Sequence, residues 1–355
     1  MNKKLVGLGL AAVAAVSLAA CGNRASKSSS SEASSSADTS VKAAIVTDIG
    51  GVDDRSFNQS AWEGLQEWGK AASLSKGNGY DYVQSASESD YITNLDSAVA
   101  GGYNLVFGIG FALESAIAEV APNNPNTHYV IVDSVVPDQD NVVSVGFADH
   151  EASYLAGVAA AKSTKTNHVG FIGGMEGVII DRFEAGFVAG AKSVNKDIKI
   201  TVDYAGSFGD AAKGQTLAAA QYAAGADVIF HASGGTGNGV FAAAKAENET
   251  RNEADKVWVI GVDRDQSAEG TYTSKDGKSS NFVLASTLKQ VGTSVKDIAT
   301  KAAAGDFPGG QVLQFSLKDK GVELAETNLS EDASKAVADA KQAILDGKVE
   351  VPEKP

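Results

Sequence analysis

"AAIVTDIGGVDDRSFNQSAWEGLQEWG", residues 43–69, runs from small and β-branched apolar residues through a Gly- and Asp-rich loop into a stretch where Trp62, Leu65 and Trp68 recur at helical spacing. A fully apolar short run predicts a buried strand, and a one-sided apolar stripe predicts a helix packed against it. Strand, loop and helix in that order begin a βαβ unit. Trp62 and Trp68 are predicted to lie in the core, which leaves Asp48, Phe57 and Asn58 at the junction without a packing role.

The same alternation continues along the chain. Strands are predicted over 42–47, 80–85, 104–110, 128–133 and 142–147, with Ala-rich helical stretches between them. After 149–163 the rhythm restarts, with strands over 168–174, 198–205, 227–233 and 257–263 and helices over 179–193, 211–224 and near 240–247. Strands alternating with helices make parallel sheets covered on both faces. About 315 residues follow position 40, more than one core usually supports. The expected fold class is therefore α/β, with two similar three-layer α/β/α lobes. The remainder predicts a strand over 281–287, a helix over 288–304, a strand pair across 312–326 and a last helix near 331–346. The chain is expected to cross between lobes, giving one lobe of 41–148 plus about 265–310 and another of 149–264 plus about 311–355.

The N-terminus has a different character. Lys3 and Lys4 precede an apolar run over 5–20 that is short for a span, the pattern of a signal peptide over 1–20. It ends in "LAAC", which resembles the bacterial lipobox, where the cysteine is lipidated and becomes the new N-terminus. Cys21 is the only cysteine in 355 residues, so lipidation would leave no thiol for a disulfide or for catalysis. The Ser-rich run after it has too few apolar residues to fold and makes 21–40 a flexible tether. The formal charge is −14, falling by the two lysines to −16 once the leader is removed. That balance repels nucleic acid and anionic lipid.

In open α/β sheets ligands gather at the carboxyl ends of the strands. The residues there are Asp48, Phe57 and Asn58, Gly108 to Phe111, Asp133, Phe208, Ser233 to Gly237, Asp263 and, at the expected start of the late helix, Lys289. "SFNQ" (56–59) and "SFGD" (207–210) each follow a strand, open a helix and fit the capping-box form. Capping accounts for Ser56, Gln59, Ser207 and Asp210. It does not account for a Phe expected at the first helical position of each, which is either a filler under its loop or a contact for a ligand. Two rings on opposite lobes suit a flat heterocycle, since stacking contributes roughly 1–3 kcal/mol per base. Carboxylates and an amide around them can bond its polar edge and a sugar's hydroxyls. Several carboxylates against one lysine make a poor phosphate pocket.

Other chemistry is set aside on spacing. "SGGTGNG" (233–239) fits neither phosphate-loop pattern and suits close backbone approach or a plain tight turn. The four histidines show no metal-ligand spacing, so no metal and no cofactor is expected. "TDIGGVDD" (47–54) resembles the Asp-rich signature of nucleoside hydrolases, but Val46 stands where the first Asp belongs and the register to Asp53 and Asp54 is shifted. Those two acids are expected to be solvated near a helix N-terminus.

The lipobox, the Ser-rich tether, "TDIGGVDDRSFNQSAWEGL", "VDYAGSFGD" and "VIGVDRDQ" together resemble the basic membrane protein family of lipoproteins over essentially the whole chain. These are purine nucleoside receptors of ABC transporters, with the type I periplasmic-binding fold of two lobes joined by crossover hinges. The resemblance implies that Phe57 and Phe208 sandwich the base, that Asp48, Asn58 and Asp133 bond base or ribose, that Asp263 and Lys289 hold the ribose, and that the backbone near Gly235 lies at the pocket. It also implies a ligand of the adenosine, guanosine or inosine class, a membrane permease as partner, an anchor through lipid on Cys21 at the extracytoplasmic face, and no catalytic turnover. The Ser-rich tether suits the outer surface of a Gram-positive cell, with the periplasm of a double-membraned cell as the alternative, and a monomer is expected. A sugar receptor of the same fold, a nucleoside hydrolase and a surface adhesin or sensor with a vestigial pocket are the alternatives.

Overall fold

The structure, a computed structural model, describes residues 41–355. The expected leader, Cys21 and tether lie outside the described residues. The strands in chain order are β1 (Ala43–Thr47), β2 (Tyr80–Val83), β3 (Leu105–Ile109), β4 (His128–Val132), β5 (Val142–Phe147), β6 (His168–Gly173), β7 (Lys199–Tyr204), β8 (Val228–Ala232), β9 (Trp258–Gly261), β10 (Thr271–Thr273), β11 (Ser279–Asn281), β12 (Val283–Lys289), β13 (Val312–Phe315) and β14 (Val322–Glu326). The helices are α1 (Phe57–Ala71), α2 (Tyr91–Ala100), α3 (Glu114–Val120), α4 (Asp149–Ser163), α5 (Val178–Val194), α6 (Ala211–Ala223), α7 (Gly237–Glu249), α8 (Val291–Ala303) and α9 (Glu331–Leu345).

Two six-stranded sheets form, in the orders β13-β5-β4-β3-β1-β2 and β14-β12-β9-β8-β6-β7. The orders correspond strand for strand, so the two lobes repeat one plan. Pairing is parallel except for β14 against β12 and the small β10–β11 hairpin. Parallel strands covered on both faces must be apolar throughout. All of β1, β3 and β8 is buried, as their unbroken apolar runs require.

Helices pack on both faces of the first sheet. Trp62, Leu65 and Trp68 of α1 face a core shared with Ile45, Phe107 and Val295 of α8, while Leu95 of α2 and Ile117 of α3 face a second core with Val106 and Ile131. The predicted helix stripe of α1 is therefore buried. In the second lobe α4 lies against α5 so closely that a Cβ on Gly190 would stand 2.0 Å from the Tyr154 carbonyl oxygen. The Ala-rich sequence of α4, buried on nearly every side, permits that approach.

The chain crosses between sheets after β5, after β12 and after β13. Backbone bonds stitch the crossings together: the Ala148 N–H donates to Phe315 O at 2.7 Å and the Gln290 N–H to Gly321 O at 2.9 Å. Two expectations change here. The segment 312–326 holds two strands, but they do not pair with each other: β13 extends the first sheet and β14 the second. Correspondingly, the first lobe's expected share of about 265–310 fails for β12, which sits in the second sheet, and the second lobe's share from about 311 fails for β13. An edge strand is assigned by the neighbour it finds in space, and no local pattern carries that information. No helix among the described residues is long and apolar enough to cross a membrane.

Candidate functional site

The loop from β1 to α1 is built around two buried carboxylates. Asp54, 2 % exposed, accepts backbone N–H bonds from Ser56 (2.8 Å), Asn58 (2.9 Å) and Gln59 (3.0 Å) and one Asn58 Nδ2 bond at 3.0 Å. It therefore caps α1. The expected capping by Ser56 and Gln59 does not form: the Ser56 hydroxyl donates instead to Asp263 of the second lobe, and Gln59 Nε2 donates to Glu63 at 2.8 Å. A carboxylate offers orphan amides charge-assisted bonds and outcompetes a hydroxyl. Asp54 is thus buried rather than solvated, while Asp53 is exposed.

Asp48 Oδ1 accepts from the Gly50 N–H and from Asn58 Nδ2, both at 2.8 Å. With both amide hydrogens of Asn58 taken by carboxylates, its Oδ1 is buried with no partner among the described residues. Asp133 Oδ1 is in the same state. Burial is the main reason the Asp48 carboxyl is pushed up to about 6, against the bonds from Gly50 and Asn58 that oppose it.

On the second lobe Phe208 lies three residues before α6 and not at its first position. Asp210 is the cap there, accepting from the Lys213 N–H at 2.9 Å, and Ser207 Oγ accepts from the Gly209 N–H at 3.0 Å. The Phe208 ring occupies space that any side chain at Gly174 would fill, since a Cβ there would stand 2.2 Å from it. Across the cleft it meets Phe111, with ring centroids 6.1 Å apart and planes at 75°. Such an edge-to-face arrangement is favourable between aromatic quadrupoles.

Asp133 follows β4 and Asp263 follows β9, the corresponding strands of the two sheets, and both carry a left-handed φ of +67°. Lys289, at the end of β12, joins them. Its Nζ lies 2.6 Å from Asp133 Oδ2 and 3.2 Å from Asp149 Oδ1, and 5.2 Å from the centres of the Phe57 and Phe147 rings. Burial alone would lower the ammonium, but Asp133, Asp149 and Asp263 raise it above its ordinary value. Burial pushes the Asp149 and Asp263 carboxyls up to about 7, with Lys289 opposing in both. So several acids share one cation.

These groups line a cleft between the lobes whose empty volume, counting the part open to solvent, is about 500 Å³. Of the residues expected at the site, Asp48, Phe57, Asn58, Asp133, Phe208, Asp263 and Lys289 all line it. Gly235 does not; its neighbours Ser233 and Gly234 do. The wall also includes Asp54, Phe111 and Phe183. Phe111 stood among the strand-end candidates, whereas Phe183 lies one turn inside α5 with an ordinary core pattern around it and carried no signal. Asp149 touches Lys289 without lining the space. Among the described residues no group of three or more His, Cys, Asp or Glu could hold a metal ion.

Residues 41–355 match the family model described as the ABC transporter substrate-binding protein PnrA-like family, Bmp. The chain is 58 % identical over 355 residues, the whole of both chains, to the ABC transporter nucleoside-binding protein BmpA of Lactococcus lactis. It is 34 % identical over 282 residues to basic membrane protein A1 of Borrelia garinii, covering 78 % of this chain and 77 % of that one. A solute-binding protein of an ABC transporter system from Aeropyrum pernix shares the fold with a TM-score of 0.76 at 24 % identity, over 88 % of this chain and 94 % of that one. The family and these two transporter relatives are described as binding components, not as enzymes. With the full folded length matched and the two-lobed architecture shared, the chain belongs to the Bmp family of PnrA-like ABC transporter substrate-binding proteins.

Proposed function

We propose that this protein captures purine nucleosides between its lobes and delivers them to a membrane permease. The carrying observation is the composition of the cavity wall: aromatic rings from both lobes, Phe57 and Phe111 on one side and Phe183 and Phe208 on the other, with two buried acceptors, Asn58 Oδ1 and Asp133 Oδ1, lacking partners. Rings take the faces of a base, and orphan acceptors call for the N–H and O–H groups that a nucleoside presents. Asp48 and Asn58 bond the base edge. Asp133, Asp263 and Lys289 hold the ribose. The name of the Lactococcus lactis relative supports the nucleoside class.

The excess of carboxylate over ammonium supports neutral ligands over phosphorylated ones. A hydrolase reading is disfavoured because both Asp54 oxygens already accept N–H bonds and are unavailable to calcium. The protein works on the extracytoplasmic face, held there by lipid on Cys21, and palmitate labelling lost in Cys21→Ser checks the anchor. Calorimetry with adenosine, guanosine and inosine tests the ligand class, with glucose, galactose and ribose as competitors. Failure of all three nucleosides to bind, or displacement by a simple sugar at micromolar concentration, would overturn the reading.

A further inference from the structure

Gln266 does not line the cavity, yet it is 3 % exposed and placed by three bonds within the second lobe. Its Oε1 accepts from the Val262 N–H at 2.9 Å and lies 3.2 Å from His231 Nε2, and its backbone N–H donates to Ser286 Oγ at 3.1 Å. Gly261 leaves room for it, since a Cβ there would stand 2.6 Å from Oε1. Burial holds the His231 ring down at about 4, so it is neutral at ordinary pH. Its Nδ1 lies 3.3 Å from the hydroxyl of Ser233, a residue of the cavity wall.

The amide nitrogen of this side chain reaches across the cleft. Gln266 Nε2 donates to the backbone carbonyl of Arg55 at 2.9 Å. Arg55 has φ +60°, a left-handed conformation that is unfavourable for a non-glycine residue and must be held by its surroundings. It sits between Asp54 and Ser56, immediately before Phe57 and Asn58. Three further contacts tie the second lobe to the same loop: the Arg55 guanidinium pairs with Glu269 at 2.5 Å, Asn238 Nδ2 donates to Asp54 O at 3.3 Å, and the Ser56 hydroxyl donates to Asp263.

We infer that Gln266 is a positioning residue for the ligand loop: fixed in the second lobe, it grips the Arg55 carbonyl when the lobes are closed and holds Asp54, Phe57 and Asn58 in their binding arrangement. It sets how long a ligand stays, because the bond it donates exists only with the lobes together. Arrival is governed by the open form and is left alone.

Gln266→Glu separates this role from simple support. The substituted carboxylate still accepts from Val262 and His231, but it opposes the Arg55 carbonyl instead of bonding it. The inference rests on the nucleoside reading only for its probe, inosine. With that probe, Gln266→Glu is expected to raise the dissociation rate about tenfold while the association rate stays within about threefold. Because the bond belongs to the closed form, amide hydrogen exchange is compared with inosine bound, and exchange in residues 53–59 is expected to accelerate in the variant, with the second lobe's protection unchanged. Exchange over 53–59 equal to wild type overturns the inference. So does a loss of protection spread through the second lobe, which would make Gln266 merely structural. The two failures are distinct: absence of inosine binding to the wild type refutes the proposed ligand class, whereas inosine binding with unchanged dissociation and unchanged exchange over 53–59 refutes this one.

Discussion

Lys289 of the second sheet and Asp133 of the first meet across the lobes, Nζ to Oδ2 at 2.6 Å, with side chains 3 % and 5 % exposed. Removing one member of such a pair strands the other charge without solvent, which costs about 3–5 kcal/mol. Lys289→Met leaves Asp133, Asp149 and Asp263 facing one another. Urea unfolding is expected to show a loss of that size, partly restored when Asp133→Asn is added, and nucleoside binding is expected to disappear. A single-variant loss under about 1 kcal/mol would mean that the carboxylates relieve the strain by taking up protons.

The two rings of the proposed sandwich give a second test. Phe57→Ala and Phe208→Ala should each weaken inosine binding by roughly 1–3 kcal/mol, the size of one stacking face. Calorimetry reads this directly. Phe208→Ala also removes the ring that meets Phe111, so it is expected to be the more damaging; equal affinities in wild type and both variants would refute the sandwich.

Charge selectivity follows from the count of buried groups. Asp48, Asp54, Asp133 and Asp263 line the cavity with Lys289 as their cation. Inosine 5′-monophosphate brings about two negative charges into that field. It is expected to bind at least about 100-fold more weakly than inosine, about 2.7 kcal/mol, and Asp263→Asn should narrow the gap.

Stability should respond to pH around neutrality. Asp149 and Asp263 are pushed up to about 7 by burial, from an ordinary 3.8. Between those values the folded chain holds protons that the unfolded chain has released, so this contribution falls as pH rises through 7. The four histidines, all held below 6.5 chiefly by burial, act in the opposite sense but only below about that pH. The exposed acids with lowered values, such as Asp276 and Asp346, matter only in the carboxylate range. The melting temperature is expected to rise from about pH 8 to about pH 6.5, with a shallower slope in Asp263→Asn.

Packing of α4 on α5 is tight enough to test with one methyl group. A Cβ at position 190 would stand 2.0 Å from Tyr154 O, which is backbone and cannot swing aside. Gly190→Ala is expected to cost about 1–3 kcal/mol in unfolding experiments, with nucleoside affinity little changed.

Much of this architecture was legible in residues 41–355. The apolar runs of β1, β3 and β8 and the Trp62, Leu65 and Trp68 stripe are local signals, because burying a strand on both faces or a helix on one demands those patterns whatever the surroundings. Seven of the eight residues expected at strand ends and helix starts line the cavity, since a parallel sheet delivers its loops to one edge. Gly235 stands one position beyond the lining, for a Gly-rich turn carries no marker of which of its residues faces the cleft.

What the chain could not announce by itself are the relations between its distant parts. Ser56 reads as a helix cap until Asp54 supplies a stronger acceptor two residues away and Asp263, 207 residues on, accepts the hydrogen bond of its hydroxyl. Asp54 reads as a solvated acid until four donors converge on it. β13 and β14 read as partners until each finds a different sheet. Asp149 carries no motif and Gln266 closes the quoted "VIGVDRDQ" with no role legible there; what each does depends on folding, which brings Lys289 to one and the Arg55 carbonyl to the other. The sequence by itself determined the periodicities, and with them the elements and the lobes, because these depend on near neighbours. The tertiary structure decided which polar groups are buried together, because hydrogen bonding and desolvation act over a few ångströms in space and take no account of separation along the chain.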